Sequence, residues 1–198
     1  MPAEREPSWR ERVFANRGAL LAFPAASLAL FGKPSSASIA LGVPLALAGE
    51  GLRCWAVGYS GVTTRSDRVV APQLTTAGPY AFVRNPLYVG NFITALGFTI
   101  AFAGDVSPPK RAALAVACLG TMLAVYAAIV PLEEAYLRET FGPDFDAYAR
   151  RVPRIVPRTT AAQPQAGRYD PSVIAQAETR TFVTFAAMLG ALALKAVV

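Results

Sequence analysis

The stretch VGNFITALGFTIAFA (residues 89–103), the break DVSPP (105–109) and the run AALAVACLGTMLAVYAAIVPL (112–132), which ends on Glu133-Glu134, decide the fold. Two apolar runs are joined by a Pro-Pro turn and closed by a carboxylate pair. Crossing hydrocarbon as a helix takes about 20 apolar residues. Inside lipid each backbone polar group must bond within its own element, and neither run alternates as a barrel strand does. The two runs therefore read as a helical hairpin in a membrane, which returns Glu133 to the face from which Tyr88 departs.

The same reading extends outward. A run at 13–31, broken by Arg17, and a run at 39–59 flank a turn at Lys33-Pro34-Ser35-Ser36. A last run at 182–198 is short for a span. Of the 198 residues, 54% are hydrophobic and 16% charged, against roughly a quarter charged in a soluble domain. The expected fold class is all-α, a multi-pass transmembrane helical protein of about five spans. Residues 1–35 make the N-terminal arm and first transmembrane helix, and 36–158 the core. Residues 159–198 make a linker and C-terminal transmembrane helix, with 159–167 expected to be flexible. A cleaved leader is the competing reading of the first run, with small residues at Ser36-Ala37-Ser38. A retained span is expected instead, because the segment before the run is long and the next span follows at once.

The net charge of +6 comes from 19 Lys+Arg against 13 Asp+Glu. Basic residues beside apolar runs are what the positive-inside rule expects, so the expected partner is the lipid bilayer and not nucleic acid. With five spans one side collects Arg5, Arg10, Arg12, Arg17, Arg65, Arg68, Arg84, Arg138, Arg150, Arg151, Arg154, Arg158, Arg168 and Arg180. The other side holds Lys33, Lys110, Arg111 and Lys195. The first side is expected to face the cytoplasm. Cys54 and Cys118 sit inside apolar runs, away from metal-type spacing. The sequence has no histidine, which excludes a Ser-His-Asp triad, a His-bound metal and a His general base; no metal site is expected.

Three polar clusters stand at the cytoplasmic edge of the hairpin. The first runs from Gly78-Pro79-Tyr80 to Arg84-Asn85-Pro86-Leu87-Tyr88. The second is Glu133-Glu134. The third is Phe141-Gly142-Pro143-Asp144-Phe145-Asp146-Ala147-Tyr148, followed by Arg150-Arg151-Val152-Pro153-Arg154. Ionisable groups at a membrane edge mark a functional site by default. Glu50 and Arg53, three apart on the second run, can pair on one helix face. They read either as a structural pair or as the lining of a substrate entrance.

This combination resembles the isoprenylcysteine carboxyl methyltransferase family and the related phospholipid methyltransferases. Their pattern is similar to Gly-Pro-Tyr, Arg-His-Pro-x-Tyr, a helical hairpin, a Glu-Glu pair and a closing Phe-Gly…Tyr…Val-Pro segment. The resemblance covers roughly residues 40–157. It implies S-adenosylmethionine as methyl donor, with S-adenosylhomocysteine as product, and a lipophilic membrane-dissolved acceptor, either a lipid amine or a prenylated or hydrophobic acid. Under it, Arg84 suits the donor's carboxylate through a bidentate pair, and Glu133 or Glu134 suits its ammonium. Tyr80 and Tyr88 suit the adenine or the sulfonium. Pro86 sets the turn before Leu87 and biases Asn85 toward an extended backbone. Leu74, Thr75 and Gly78 match the stretch that lines the cofactor. Glu133, Glu134 and Tyr148 are the nearby groups able to take a proton from an amine acceptor.

Two departures from the pattern matter. The family's His is Asn85 here, which can hydrogen-bond but cannot hold a proton at neutral pH. The Arg that prenylcysteine enzymes tend to carry one turn before the Glu pair is replaced by Tyr126-Ala127-Ala128-Ile129-Val130-Pro131, which argues against a free-carboxylate substrate. Pro131 is expected to kink the helix end. A membrane reductase using NADPH would share the topology but call for more basic groups and no Glu-Glu pair. A non-enzymatic assembly or transport protein would leave the meeting of Arg84 with Glu133-Glu134 unexplained.

Overall fold

A computed structural model describes residues 6–61 and 71–197; Arg5, Arg65, Arg68 and Val198 of the sequence reading lie outside them. The described residues form helices and turns, with no strand among them. Helix α1 (Trp9–Ala15) opens on a capping box between Ser8 and Glu11, which satisfies two orphan donors at once. At Asn16 the chain bends by 60° into α2 (Arg17–Phe31). The break falls where Arg17 interrupts the apolar run: its guanidinium lies 4.0 Å from the centroid of the Phe14 ring and donates to the Phe14 carbonyl at 2.6 Å. A Ser35/Ser38 box caps α3 (Ser36–Ser60). Then come α4 (Pro86–Phe102), α5 (Pro108–Ala115), a π-turn (Val116–Gly120) and α6 (Thr121–Phe141). Helices α5 and α6 run on as one 34-residue helix through the π-turn and through Pro131. Helix α7 (Pro143–Arg151) and α8 (Ser172–Val197) complete the order.

All the apolar runs are helices, but not all are long enough to count as spans. By length and composition Ser36–Ser60, Pro108–Phe141 and Ser172–Val197 can cross a membrane, and the bent α1–α2 pair raises the number to four. Helix α4, at 17 residues, is apolar but shorter. On this criterion three or four helices qualify, and α4 is the further apolar helix that the expectation of about five had counted. The expectation of a short last span is corrected: α8 has 26 residues, because it begins at Ser172 and takes in Glu178 and Arg180.

Helices α3 and α4 pack through glycines. A Cβ on Gly42 would lie 2.4 Å from the Gly97 carbonyl oxygen, and one on Gly97 would lie 2.4 Å from the Ala46 nitrogen. In lipid, where apolar burial gives little drive, such small faces let helices meet.

Arg53 fastens α8 to this pair. Buried at 8% exposure, it donates to Asn91 on α4, to Glu178 at 2.6 Å and to Thr181 at 3.3 Å on α8. Glu50 lies 3.6 Å away on α3 and is equally buried. The Glu50–Arg53 pair is thus part of an interior tie. Deleting one partner of a buried pair costs about 3 kcal/mol. Arg53→Leu is expected to lower the thermal midpoint in detergent and to open α8 to protease; an unchanged digestion pattern would refute the tie.

The ends of the bundle differ. At one end Lys195 Nζ donates to the Gly32 carbonyl at 3.1 Å, the Asp105 amide to the Lys33 carbonyl at 2.8 Å, and Arg111 to the carbonyls of Ala103 and Gly104. At the other end Phe145, Tyr148, Val152 and Ala162 form a buried cluster, with Leu74, Leu137, Phe141 and Ala149 packed on it. The segment 159–167, expected to be a flexible linker, is strapped to residues 76–81. The Ala162 amide donates to the Ala81 carbonyl at 2.9 Å, the Thr76 amide to the Ala166 carbonyl at 2.8 Å, and the Ala166 amide to Thr76 Oγ1 at 2.8 Å.

Candidate functional site

Pro86 stands at the first position of α4, where its missing N–H costs nothing, and is fully buried. Asn85 before it has φ −122° and ψ 58°, outside the helical region as the pre-proline position requires. Leu87 and Tyr88 then enter the helix. One full hairpin later α6 brings back Glu133 and Glu134, and Gly142, at φ +49°, turns the chain into α7. Residues 45 to 69 positions apart are thereby brought into hydrogen bonds.

Glu134 is the hub and is only 3% exposed. Its Oε1 accepts from Arg84 Nε at 2.9 Å and from Asn85 Nδ2 at 3.4 Å. Its Oε2 accepts from Arg154 Nε at 2.9 Å and Nη2 at 2.5 Å. Arg84 Nη1 also donates to the carbonyls of Ala149 at 2.9 Å and Val152 at 2.5 Å. Asn85 Nδ2 reaches the Arg154 carbonyl at 3.1 Å. Arg84, expected to pair with the donor's carboxylate, makes three hydrogen bonds within the chain. Asn85 acts as an amide donor, a part that needs no titrating proton.

Glu133 faces differently. Its Oε1 accepts from the Tyr88 hydroxyl at 2.6 Å, and the Tyr88 ring lies 4.6 Å, centroid to centroid, from Tyr126 on α6. Both tyrosines line an apolar cavity of about 330 Å³ between α4 and α6, together with Phe92, Ile93, Leu123, Ala127, Val130 and Pro131. Pro131 cannot donate to the carbonyl of Ala127 one turn back, so a freed acceptor belongs to the same helix face. Arg154 and Ile155 complete the lining.

The remaining expected residues fall elsewhere. The Tyr148 hydroxyl donates to the Tyr80 carbonyl at 2.8 Å, and burial pushes its phenol above the ordinary value. Tyr148 is a post between α7 and the Gly78–Ala81 turn. Burial likewise pushes Tyr80 up to about 12, so it stays neutral. Gly78, at φ +61°, presses on Tyr59, and Thr75 Oγ1 donates to the Tyr59 carbonyl at 3.4 Å. Leu74 packs on the Phe145 cluster. None of Leu74, Thr75, Gly78 or Tyr80 lines the α4–α6 cavity. Glu50 lines a second cavity of about 180 Å³ bounded by α2, α3, α4, the π-turn, α6 and α8. Arg154 and Tyr126 were not singled out in the sequence; the run Arg150-Arg151-Val152-Pro153-Arg154 was the signal for the first. Among the described residues no group of three or more His, Cys, Asp or Glu could hold a metal ion.

Comparison with known proteins puts names beside this geometry. A model of the phospholipid methyltransferase family matches residues 37–144. A nickel-cobalt-cadmium resistance protein of Alcaligenes xylosoxydans xylosoxydans and a cobalt-zinc-cadmium resistance protein of Cupriavidus metallidurans are each 36% identical over 118 residues, 60% of this chain and 47% of theirs. Protein-S-isoprenylcysteine O-methyltransferase B of Arabidopsis thaliana is 33% identical over 85 residues, 43% of this chain and 40% of its own. The chain thus spans less than half the length of the curated relatives it matches. No solved structure matches it.

Proposed function

The chain belongs to the phospholipid methyltransferase family, and from that premise we propose that it moves a methyl group from S-adenosylmethionine to a lipophilic acceptor dissolved in the membrane. What supports the reading is the convergence of Tyr88 with Glu133, and of Arg84, Asn85 and Arg154 with Glu134, next to an apolar cavity whose wall includes Tyr88 and Arg154. The excess of arginine on that side supports a rim that faces the cytoplasm. The core at 36–158 carries all of these residues.

The lining fits such a donor. Tyr88, Phe92 and Tyr126 offer aromatic faces to a sulfonium and an adenine, and Glu133 offers a carboxylate to an ammonium. When bound, the donor supplies an electrophilic methyl group. The chain's own residues supply alignment, since displacement at carbon needs the nucleophile about 3 Å away and in line. Helices α4 and α6 present apolar walls to the acceptor's body, which enters sideways from lipid. Tyr88 orients Glu133 through Oε1, and Oε2 of Glu133 is the atom that takes a proton when the acceptor is an amine. A carboxylate acceptor needs no such step.

The test is methyl transfer from labelled donor into a membrane lipid extract, with mass spectrometry of the lipophilic product. Absence of any labelled lipophile would sink the reading. Glu133→Gln keeps the oxygen that Tyr88 donates to and removes the charge. Turnover of an amine acceptor is expected to fall about 100-fold or more while the thermal midpoint stays put; undiminished turnover would remove Glu133 from the chemistry.

A further inference from the structure

The two guanidiniums on Glu134 are not equivalent. Arg84 is enclosed, with 12% of its side chain exposed, and donates to Glu134 and to two carbonyls at the end of α7. Turning it toward a ligand would break three hydrogen bonds and strip Ala149 and Val152 of their donor. Buried acceptors left without a donor cost about 1–3 kcal/mol each. Arg84 is also absent from the cavity wall.

Arg154 has the opposite character. It follows the buried Val152-Pro153 step, 51% of its side chain is exposed, and it lines the mouth of the α4–α6 cavity. Its Nε and Nη2 both go to one oxygen of Glu134. A guanidinium carries five N–H donors in a rigid fork, so its Nη1 edge is still available for an acceptor without releasing Glu134. Charge points the same way: Arg154 shares the one Glu134 carboxylate with Arg84, so Glu134 alone does not neutralise both guanidiniums. Glu134 fixes the fork from behind, which lowers the ordering cost of a guest at its free edge.

We propose that Arg154 is the anion-binding residue of the α4–α6 cavity and that Arg84 is a positioning residue, which holds Glu134 and the end of α7 so that Arg154 is aimed. The assignment rests on the methyl-donor reading for its first source of anion, the donor's α-carboxylate. A carboxylate or phosphate on the acceptor presents the same chemistry at the same edge.

The experiment uses full-length protein in detergent. Binding of S-adenosylhomocysteine is compared with that of 5′-methylthioadenosine, which lacks the amino-acid end. Stabilisation by oleate is compared with that by oleyl alcohol through the thermal midpoint. Arg154→Gln is expected to weaken S-adenosylhomocysteine roughly 10- to 100-fold, the size of a lost charged hydrogen bond, and to leave 5′-methylthioadenosine unchanged. Loss of the oleate effect alone assigns the anion to the acceptor and still upholds Arg154. Arg154→Lys, which keeps the charge without the fork, is expected to recover part of the affinity. Arg84→Gln is expected to lower the thermal midpoint and to weaken both nucleosides alike. The proposal is overturned if Arg154→Gln binds S-adenosylhomocysteine and oleate as the parent does. It is equally overturned if Arg84→Gln loses S-adenosylhomocysteine selectively at an unchanged midpoint. Failure of the parent protein to bind either nucleoside would instead defeat the methyl-donor reading, and the oleate arm would still judge Arg154.

Discussion

Glu134→Ala is expected to abolish the proposed methyl transfer and to lower the thermal midpoint by the equivalent of about 3 kcal/mol. The carboxylate is 3% exposed and accepts from Arg84, Asn85 and Arg154. Removing it leaves the enclosed Arg84 charge without its counter-ion, and two positive groups then face each other across the space it held. The loss sits at the low end for a buried pair, because Arg84 keeps its two carbonyl partners and Arg154 can turn to water. Glu134→Gln retains an acceptor oxygen and should lose roughly half as much. Differential scanning fluorimetry in detergent reads both. A wild-type midpoint for the alanine variant would mean that the cluster does not hold the cap. Glu133→Gln, by contrast, acts on rate and leaves the midpoint alone, so the two neighbouring carboxylates separate by measurement.

Gly97→Val is expected to prevent the protein from accumulating as a folded species. Overpacking a tight contact costs 1–3 kcal/mol and sometimes more. Here the added carbon meets backbone, at 2.4 Å from the Ala46 nitrogen and 2.6 Å from the Gly42 carbonyl oxygen. No side chain can swing away to relieve it, so α3 and α4 must part along their length. That displaces Asn91 from Arg53 and, one turn further, Tyr88 from Glu133. Gly51 serves as the control: a Cβ there meets nothing within 4 Å, so Gly51→Ala should be neutral or slightly stabilising through helix propensity. Yield of monodisperse protein and the thermal midpoint decide the matter, and a well-behaved Gly97→Val would refute the close-packed hairpin.

The sequence made some of this legible and hid the rest for physical reasons. The hairpin and the meeting of Tyr88 with Glu133 follow from run length and turn position, and both are present. The sequence reading placed Phe141, Phe145, Tyr148 and Val152 in or beside the polar cluster at the cytoplasmic edge. Their spacing turns out to be that of an amphipathic helix packing its own core. A sequence does not display backbone carbonyls, so the two that the end of α7 brings to Arg84 could not be read from it. Arg154 was one arginine among many until the fold left it at a cavity mouth. Helix α8 was cut short because Glu178 and Arg180 made residues 172–181 look aqueous, and the partner of Glu178 lies 125 positions earlier. Residues 159–167 carried the composition of a loose linker, yet Thr76 and Ala81 give their backbone groups partners.

The bond between Arg53 and Glu178 also sets an order for biogenesis. An acidic side chain at helix depth costs about 2.5–3.5 kcal/mol to insert alone, and α8 carries one that ends up 1% exposed. By the time the ribosome delivers α8, α3 has already been made, with Arg53 and Glu50 on it. The last helix therefore enters a membrane that contains its docking partner, and its stable insertion becomes an act of assembly onto the earlier helices.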